Sequence, residues 1–212
     1  MKIEDNLETL NSLIKRRGFI WGPEPEIYGG FAGFYSYGPA GSALKNKILS
    51  LFRKELSYFG FFEVECPTIM PEIVWEASGH LERFIDYITR CIKCNLLYRA
   101  DRILKEILPN MMIDGLSKKE LNNLIKTKNL KCPNCGNLLG EIEEYNLMLK
   151  TKVGDNNIAY LRPETATTTY LLFNRLDNYA RKQYPIKVFQ YGKAHRNEIS
   201  PRHGVIRMRA FD

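Results

Sequence analysis

The chain has 212 residues, of which 44% are hydrophobic, 12% aromatic and 26% charged, with a formal net charge of +7 at pH 7. This composition excludes a disordered or collagen-like chain, and the length predicts one main domain with room for a small satellite. The sequence has no apolar run long enough to span a membrane and no signal-peptide pattern at its start, so we expect a cytoplasmic protein without a membrane partner.

The basic excess would suit a polyanionic partner such as RNA, or a phosphate-bearing substrate. The basic residues are scattered in short groups, such as Lys15–Arg17 and Arg181–Lys182, and do not form one long block. A solvated basic surface explains the charge equally well. Charge alone therefore does not identify the partner.

The first third of the chain reads as a short helix, a turn-rich segment, a long helix and a strand. Asp5 is a candidate N-cap for the short helix. Residues 28–41 alternate glycines with aromatic residues, which predicts a tight hairpin and not a phosphate-binding loop, because no Gly-Lys-Ser/Thr follows. Apolar spacing then predicts a helix from a Ser42 cap to Gly60, followed by a half-buried strand, Phe62–Cys66, that ends before a proline.

Four of the five cysteines form two Cys-x-x-Cys pairs, Cys91–Cys94 and Cys132–Cys135, in a polar segment of different character. Two such turns supply the four thiolates of a tetrahedral zinc site, and a zinc ion with four protein ligands would be structural. Disulfides are the alternative, disfavoured in an intracellular protein, and thioredoxin-like redox chemistry would explain one pair but not two. The fifth cysteine, Cys66, is expected to be a small buried hydrophobe.

The remaining segment returns to strand and helix patterns. Four strands are predicted, Tyr145–Thr151, Ile158–Leu161, Ile186–Ile199 and Val205–Phe211. A helix, Glu164–Asn174, lies between the second and third strands. The loop Ser-Pro-Arg-His-Gly at 200–204 joins the last two into a hairpin.

This last hairpin carries a charged pattern. Residues two apart on a strand share a face, so Arg196 and Glu198 face one way, and Arg207, Arg209 and Phe211 line one face of the partner strand. A surface ladder of ion pairs is one explanation. The other is a nucleotide site, because arginines bind phosphate oxygens, a carboxylate accepts from an exocyclic amine and an aromatic ring stacks on a base.

Six stretches resemble glycyl-tRNA synthetases. Residues 196–202, followed by Arg207-x-x-x-Phe211, are similar to motif 2 of class II aminoacyl-tRNA synthetases in its glycyl form, and the helix that ends at Gly60, with Pro67 after it, resembles motif 1. Four further stretches resemble the glycyl enzymes, 77–80, 98–101, 145–151 and 161–166. They occur in the family's order and span about residues 18–212.

The resemblance implies an α+β fold, a class II synthetase-like antiparallel sheet flanked by helices. Residues 1–85 would be the N-terminal part of the catalytic domain, including motif 1, which in the family contributes to a homodimer. Residues 86–140 would be an inserted zinc-binding module, and 141–212 the catalytic sheet through motif 2. No motif 3 or anticodon-binding domain is recognised, so we expect a truncated chain, weak or inactive alone.

The function implied is that of a glycine–tRNA ligase, which uses ATP with Mg²⁺ to form glycyl-adenylate and then transfers glycine to tRNA. By the same resemblance, Arg196 would hold the α-phosphate, Glu198 the adenine amine, Arg207 the γ-phosphate and Phe211 the adenine ring. These would be the catalytic and ATP-binding residues, with Phe211 also facing the substrate.

Further residues are implied at the edges of this site. Asn197 and Ile206 would adjoin ATP, Glu164 would meet the ammonium group of glycine, and Arg99 would border the substrate pocket. The chain departs from many relatives at 167–168, where Thr-Thr replaces Gln-Gly, and at Ala210, where many have glutamate. The alternatives are a non-catalytic RNA-binding or regulatory module with a synthetase scaffold, and a class II synthetase for another amino acid.

Overall fold

A computed structural model of the chain describes residues 3–199 and 207–212, with side chains from Thr9 onward. Its compact parts are two units, the first formed by residues 1–78 and 148–212 and the second by 79–147. The second unit extends beyond the predicted insertion, 86–140, at both ends. No described helix combines the length and apolar character needed to cross a membrane.

The first unit contains helices and short strands that alternate along the chain. Its helices are α1 (Ile3–Arg16), α2 (Pro39–Tyr58), α3 (Glu72–Ala77), α7 (Ala166–Tyr170) and α8 (Phe173–Tyr179). Its strands are β1 (Ile20–Trp21), β2 (Ser36–Tyr37), β3 (Phe62–Val64), β4 (Ile69–Pro71), β8 (Leu149–Val153), β9 (Asn157–Leu161), β10 (Val188–Gln190), β11 (Ala194–His195) and β12 (Ala210–Phe211).

Most strand pairs in this unit are antiparallel, as predicted. β9 lies between β4 and β8, β1 pairs with β2, and β11 pairs with β12. The exception is β3, which pairs in parallel with β10. A parallel pair requires a long crossover between its strands, and here the chain between β3 and β10 includes the whole second unit.

The long helix α2 begins and ends for different reasons. Its start lies at Pro39, not at the predicted Ser42 cap, because Gly38 is the N-cap and proline needs no hydrogen-bond acceptor in the first helical turn. Its end is as predicted: Gly60 has φ of +75°, and Phe61 N–H donates to Leu56 O at 3.0 Å, which closes the last turn.

Five other predicted elements differ in extent from those in the structure. The predicted strand Tyr145–Thr151 is interrupted at Leu147 and Met148, which are buried and belong to no strand, and strand structure resumes at Leu149 in β8. The predicted helix Glu164–Asn174 is two short helices, α7 and α8. The first helix starts at Ile3, before the predicted Asp5 cap, and the predicted long hairpin strands reduce to β10, β11 and β12 in the described residues.

The second unit is built on one antiparallel sheet with helices around it. Its strands are β5 (Ile85–Cys91), β6 (Leu97–Arg99) and β7 (Leu139–Asn146), with β5 in the middle, and its helices are α4 (His80–Arg83), α5 (Ala100–Ile107) and α6 (Lys118–Thr127). Cys91 and Cys132 belong to its buried core together with apolar residues such as Leu104 and Ile142. A Ser-x-x-Glu capping box, which the sequence carries at Ser117–Glu120, begins α6, with Glu120 N–H donating to Ser117 Oγ.

Candidate nucleotide-binding cleft and cysteine cluster

The charged hairpin forms one wall of a cleft of about 430 Å³. In its ladder, Ala194 lies opposite Phe211 and His195 opposite Ala210, and Arg196 N–H donates to Arg209 O at 2.9 Å. The residues that line the cleft are Tyr37, Arg196, Glu198, Arg207, Met208, Phe211 and Asp212. The four side chains predicted to contact ATP through charge or stacking are therefore next to one another.

Glu198 and Arg207 form an ion pair inside this cleft. Arg207 Nε lies 3.5 Å from Glu198 Oε2, and Glu198 is only 6% exposed. Glu198 Oε2 and Arg207 Nη1 are both buried, and neither makes a hydrogen bond to a described residue. Since buried polar atoms are nearly always hydrogen-bonded, the two atoms leave a donor and an acceptor available for a ligand.

Contacts with Pro163 and Phe211 help to position the Arg196 side chain. Its Nε donates to Pro163 O at 3.1 Å, and its guanidinium carbon lies 5.1 Å from the centre of the Phe211 ring. The second contact is a cation–π interaction. The arginine and the aromatic ring thus lie together at the cleft, where one could bind an anion and the other an aromatic base.

Arg209 does not join this face, so the predicted alignment of Arg207, Arg209 and Phe211 is wrong. Its guanidinium donates to Glu198 O at 2.8 Å and to Ala32 O at 2.9 Å, and it lies 4.7 Å from the Phe31 ring centre. The reason is that β12 contains only Ala210 and Phe211, so the side-chain alternation of a strand does not extend back to Arg207.

Arg209 nevertheless supports the cleft through contacts outside it. Its backbone N–H also donates to Gly33 O at 2.8 Å. It therefore ties the glycine- and aromatic-rich segment, 28–41, to the hairpin. That segment brings Tyr37 into the cleft, a residue to which the sequence assigned no role.

Asp212 is a second lining residue that the sequence did not single out. Its carboxylate accepts from Lys45 Nζ at 3.0 Å and from Lys193 Nζ at 3.1 Å. Burial alone would raise the pKa of this carboxyl group, but the two lysines outweigh that effect and lower the pKa below its usual range. The group is therefore an anion at neutral pH, already neutralised by two cations.

Glu164 lies outside the residues that line the cleft. Its carboxylate accepts from the backbone N–H groups of Ala166 and Thr167, the latter at 2.9 Å, at the start of α7. The adjacent residue, Pro163, is the one whose carbonyl accepts from Arg196. The segment therefore links the predicted ammonium ligand to the predicted phosphate ligand through one peptide unit.

Arg162, which is 1% exposed, anchors the segment 162–167 to neighbouring parts of the first unit. Its guanidinium donates to Lys193 O at 2.7 Å, Cys66 O at 2.9 Å and Gln190 Oε1 at 2.9 Å. Gly192 leaves room for it, since a Cβ there would lie 2.3 Å from Arg162 Nη2. The 161–166 stretch resembles the glycyl enzymes, but its sequence alone does not indicate that Arg162 is a buried support of this segment.

Gln190 completes the same network. Its Nε2 donates to Thr165 O at 2.8 Å, Thr168 Oγ1 at 3.1 Å and Thr169 Oγ1 at 2.9 Å. Thr168 is 1% exposed. The threonine at 168, one of the two departures at 167–168, thus has a structural role as a buried hydrogen-bond partner of the Gln190 side-chain amide.

The remaining predicted site residues lie elsewhere or are not described. Arg99 is in the second unit, where its guanidinium contacts Asp86 at 2.8 Å and Asp101 at 2.9 Å. Asn197 is partly buried between Arg196 and Glu198. Ile206 lies outside the described residues, as does the loop at 200–204.

The four cysteines of the two pairs meet in the second unit. The Sγ atoms of Cys91, Cys94, Cys132 and Cys135 all lie within 4.8 Å of one another. Two of the separations are 3.4 Å, Cys91 to Cys135, and 3.6 Å, Cys94 to Cys132. A tetrahedral zinc ion with Zn–S bonds of about 2.3 Å requires sulfurs about 3.8 Å apart, so the cluster has the size and donor set of a possible Cys₄ metal site.

Hydrogen bonds around the cluster favour the thiolate form of Cys132. Tyr98 Oη lies 3.2 Å from Cys132 Sγ. Burial by itself would raise the pKa of Cys132, but hydrogen bonds from Tyr98 and from the backbone N–H groups of Cys135 and Asn134 lower it to about 6. A thiolate is the form that binds a metal ion.

Comparisons with known proteins agree with these features. Residues 149–212 match the family model of the class II tRNA synthetase core domain for G, H, P, S and T. Over 98% of its length the chain is 48% identical to the glycine–tRNA ligases of Thermococcus gammatolerans and Pyrococcus abyssi, and 45% identical to that of Methanocaldococcus jannaschii. The chain is therefore similar, over nearly its whole length, to one part of these glycine–tRNA ligases.

The chain matches only part of each of these relatives. The chain spans 36% of the length of each of the three. Among solved structures, a prolyl-tRNA synthetase from Cryptosporidium parvum, crystallised with halofuginone and AMPPNP, is similar with a TM-score of 0.51 at 15% identity, over 93% of this chain and 27% of that one. This similarity supports the class II synthetase-like fold, with mixed helices and sheets.

Proposed function

We propose that this chain carries the ATP- and glycine-binding part of a glycine–tRNA ligase. The observation that carries the proposal is the cleft in which Arg196, Glu198, Arg207 and Phe211 lie together, in a chain 48% identical to such ligases. The reaction is the activation of glycine to glycyl-adenylate, followed by transfer of glycine to tRNA.

In this proposal ATP enters the cleft with its base near Phe211. The adenine ring stacks on Phe211, and its exocyclic amine donates to Glu198, whose buried Oε2 makes no hydrogen bond to any described residue. Arg207 Nη1 is also buried and makes no hydrogen bond to a described residue, and it contacts the γ-phosphate. Arg196 holds the α-phosphate, and Asn197 and Ile206 adjoin the nucleotide.

The chemistry follows from these positions. A carboxylate oxygen of glycine attacks the α-phosphorus of ATP, and the bond from that phosphorus to the bridging oxygen breaks to release pyrophosphate. Charge builds on the phosphate oxygens, and Arg196 and Arg207 neutralise it, together with Mg²⁺ that arrives with ATP. No protein nucleophile is needed, since positioning and charge neutralisation supply the acceleration.

Glu164 is proposed to bind the ammonium group of glycine. Two backbone N–H groups donate to its carboxylate and hold that carboxylate in one orientation. Each carboxylate oxygen can accept more than one hydrogen bond, so the group can also accept from the ammonium. Pro163, next to it, contacts Arg196. Such a link would hold the amino acid and the α-phosphate at a constant separation. Arg99 is retained as a further proposed substrate residue.

The cysteine cluster is proposed to bind structural Zn²⁺. All four thiols are buried or partly buried, and with four protein ligands the ion would have no position open for a substrate. It would join β5 to the turn at 132–135, and its binding free energy would add to the stability of the second unit.

We further propose a homodimer formed through the motif 1 region, and a cytoplasmic location. The support for a dimer is the apolar surface of α2, where Leu44, Ile48 and Leu51 are 50%, 60% and 60% exposed. Glycine, ATP and tRNA would be the other partners. Analytical ultracentrifugation of the wild-type chain and of Ile48→Glu tests this, and a monomeric wild-type chain would contradict it.

The test of the main proposal is calorimetric titration with a non-hydrolysable glycyl-adenylate analogue, beside the alanyl and seryl analogues. We expect preferential binding of the glycyl analogue, weakened by about tenfold or more in Arg196→Ala and in Glu164→Ala. Lys152→Ala, an exposed change on β8, is the matched control. A folded chain that binds none of the analogues would contradict the proposal and favour the non-catalytic alternative.

A further inference from the structure

The two cysteine turns of the second unit lie in segments of one charge sign. Residues 90–97 and 126–138 contain five basic residues and no aspartate or glutamate. The rest of this unit, residues 79–89, 98–125 and 139–147, contains six basic and nine acidic residues. The positive charge of the unit is therefore concentrated around the cysteine cluster.

Most of these cations have no acidic partner. Lys126 pairs with Glu141 at 2.7 Å, and Arg90 donates to Asn95 O at 3.3 Å. Within residues 3–199 and 207–212, no carboxylate oxygen lies within ion-pairing distance of Lys93, Lys128 or Lys131. All of these side chains are exposed, so their charge is available to a partner.

The same region presents apolar side chains to solvent. Ile92, Leu96 and Leu138 are 70%, 45% and 47% exposed. Ile92 N–H donates to Leu138 O at 3.2 Å, and Lys131 and Leu138 form an isolated β-bridge. Ile92, Leu138 and Lys131 are thus neighbours across the two turns, while Lys93 lies between the two cysteines of the first turn. We name this region the basic knuckle end; its residues are Arg90, Ile92, Lys93, Leu96, Lys128, Lys131 and Leu138.

We propose that the basic knuckle end binds the phosphate backbone of tRNA, an inference that rests on the proposed function for the identity of the RNA. Lysine ammonium groups bind phosphates as point charges, and release of counterions from the RNA drives the association. Exposed apolar side chains beside them can pack on a ribose or an unstacked base. The cysteine cluster holds the two turns in register, so the cations have constant spacing.

An acidic protein surface would be the other polyanionic partner. The observations favour RNA because the cations stand next to exposed amides, Asn95 and Asn134, which can donate to and accept from sugars and bases. A protein–protein interface would instead be expected to bury larger aromatic side chains, and the basic knuckle end has none.

The test is fluorescence anisotropy of a labelled tRNA-Gly transcript with the full chain, over a series of KCl concentrations. We expect the double variant Lys93→Glu/Lys131→Glu to bind about tenfold or more weakly, and the slope of log K against log salt to fall by about two. The matched control, Lys119→Glu/Lys152→Glu, makes the same change in net charge at exposed positions outside the basic knuckle end and should bind like the wild type.

A second variant tests the apolar contribution. Ile92→Ser should weaken binding severalfold with an unchanged salt slope, because it removes no charge. Thermal unfolding of each variant establishes that it is folded. Equal weakening in the charge-matched control, or unchanged binding by the Lys93 and Lys131 double variant, would overturn the inference.

The same variants separate this inference from the proposed function. Binding of the glycyl-adenylate analogue should be unchanged in Lys93→Glu/Lys131→Glu, since neither lysine lines the nucleotide cleft. If the chain binds no adenylate analogue yet binds tRNA through these lysines, the RNA inference stands and the catalytic proposal fails. If a DNA duplex of the same length competes as well as tRNA, the assignment of RNA is overturned.

Discussion

Arg207 and Glu198 are paired in the candidate nucleotide-binding cleft, with Arg207 Nε 3.5 Å from Glu198 Oε2, yet each also presents a buried polar atom that makes no hydrogen bond to a described residue. At this distance the two charges neutralise each other, and the two buried atoms can still form hydrogen bonds with a ligand. The stability of a fold with a buried carboxylate depends strongly on the counter-ion of that carboxylate, because desolvation penalises an unpaired charge.

The first prediction uses this dependence. Arg207→Met should destabilise the chain by about 1–3 kcal/mol, since it leaves Glu198 buried and unpaired. Adding Glu198→Gln removes the negative charge, so the double variant should be more stable than Arg207→Met alone. Urea unfolding of the wild type, both single variants and the double variant measures this coupling. Strictly additive effects of the two changes would refute it.

The second prediction concerns Arg162 and Gly192. Gly192→Ala should destabilise the chain by about 1–3 kcal/mol, because the new Cβ would lie 2.3 Å from Arg162 Nη2 and the guanidinium must move. In an Arg162→Met background the same alanine should cost much less, since the obstructing atom is gone. Denaturant unfolding of the four chains decides the point, and an equal cost in both backgrounds would exclude the clash as the cause.

The third prediction concerns the cysteine cluster. Cys132→Ser should lower bound zinc to well below one equivalent and reduce the melting temperature, because a three-thiol site binds more weakly. Cys66→Ser is the control, since Cys66 lies in the first unit and its Sγ contacts Thr168 O at 3.4 Å. Metal analysis and calorimetry measure both effects. Retention of a full equivalent by Cys132→Ser would argue against the four-cysteine site.

The fourth prediction concerns pH. The pKa of Asp212 is lowered in the folded chain by Lys45 and Lys193, relative to the usual 3.8. The stabilisation is therefore fully present well above that value and is lost as the pH falls through it to the lowered folded pKa. Asp212→Asn should flatten the acid side of the stability–pH curve, measured by urea unfolding between neutral pH and the acid limit. A wild-type-like loss in this variant would assign it to other carboxyl groups.

Several elements depended on neighbours in the chain, and these were predictable. The capping box at Ser117 and Glu120 and the helix end at Gly60 follow from local hydrogen bonds and from the left-handed conformation that glycine permits. The Cys-x-x-Cys spacing likewise places two thiols on one turn. Each prediction needed only a few consecutive residues, which is why it could be made without the fold.

Other features were decided by contacts between distant segments. The direction of Arg209 is set by the carbonyl of Ala32, and the helix predicted from Glu164 is interrupted although its composition favours one helix. Tyr37 reaches the cleft only because the segment 28–41 packs on the hairpin. None of these contacts leaves a periodic signal, since each depends on where another part of the chain lies.

The sequence by itself indicated the resemblance to glycyl-tRNA synthetases, the two cysteine pairs and the candidate residues Arg196, Glu198, Arg207 and Phe211, because these occur in short motifs with a recognisable spacing. Only the tertiary structure decided that Arg162 supports the segment between Glu164 and Arg196, and that Tyr37 and Asp212 complete the cleft. The physical reason is that hydrogen bonds and packing act through space, whereas periodicity and spacing report only the order of residues along the chain.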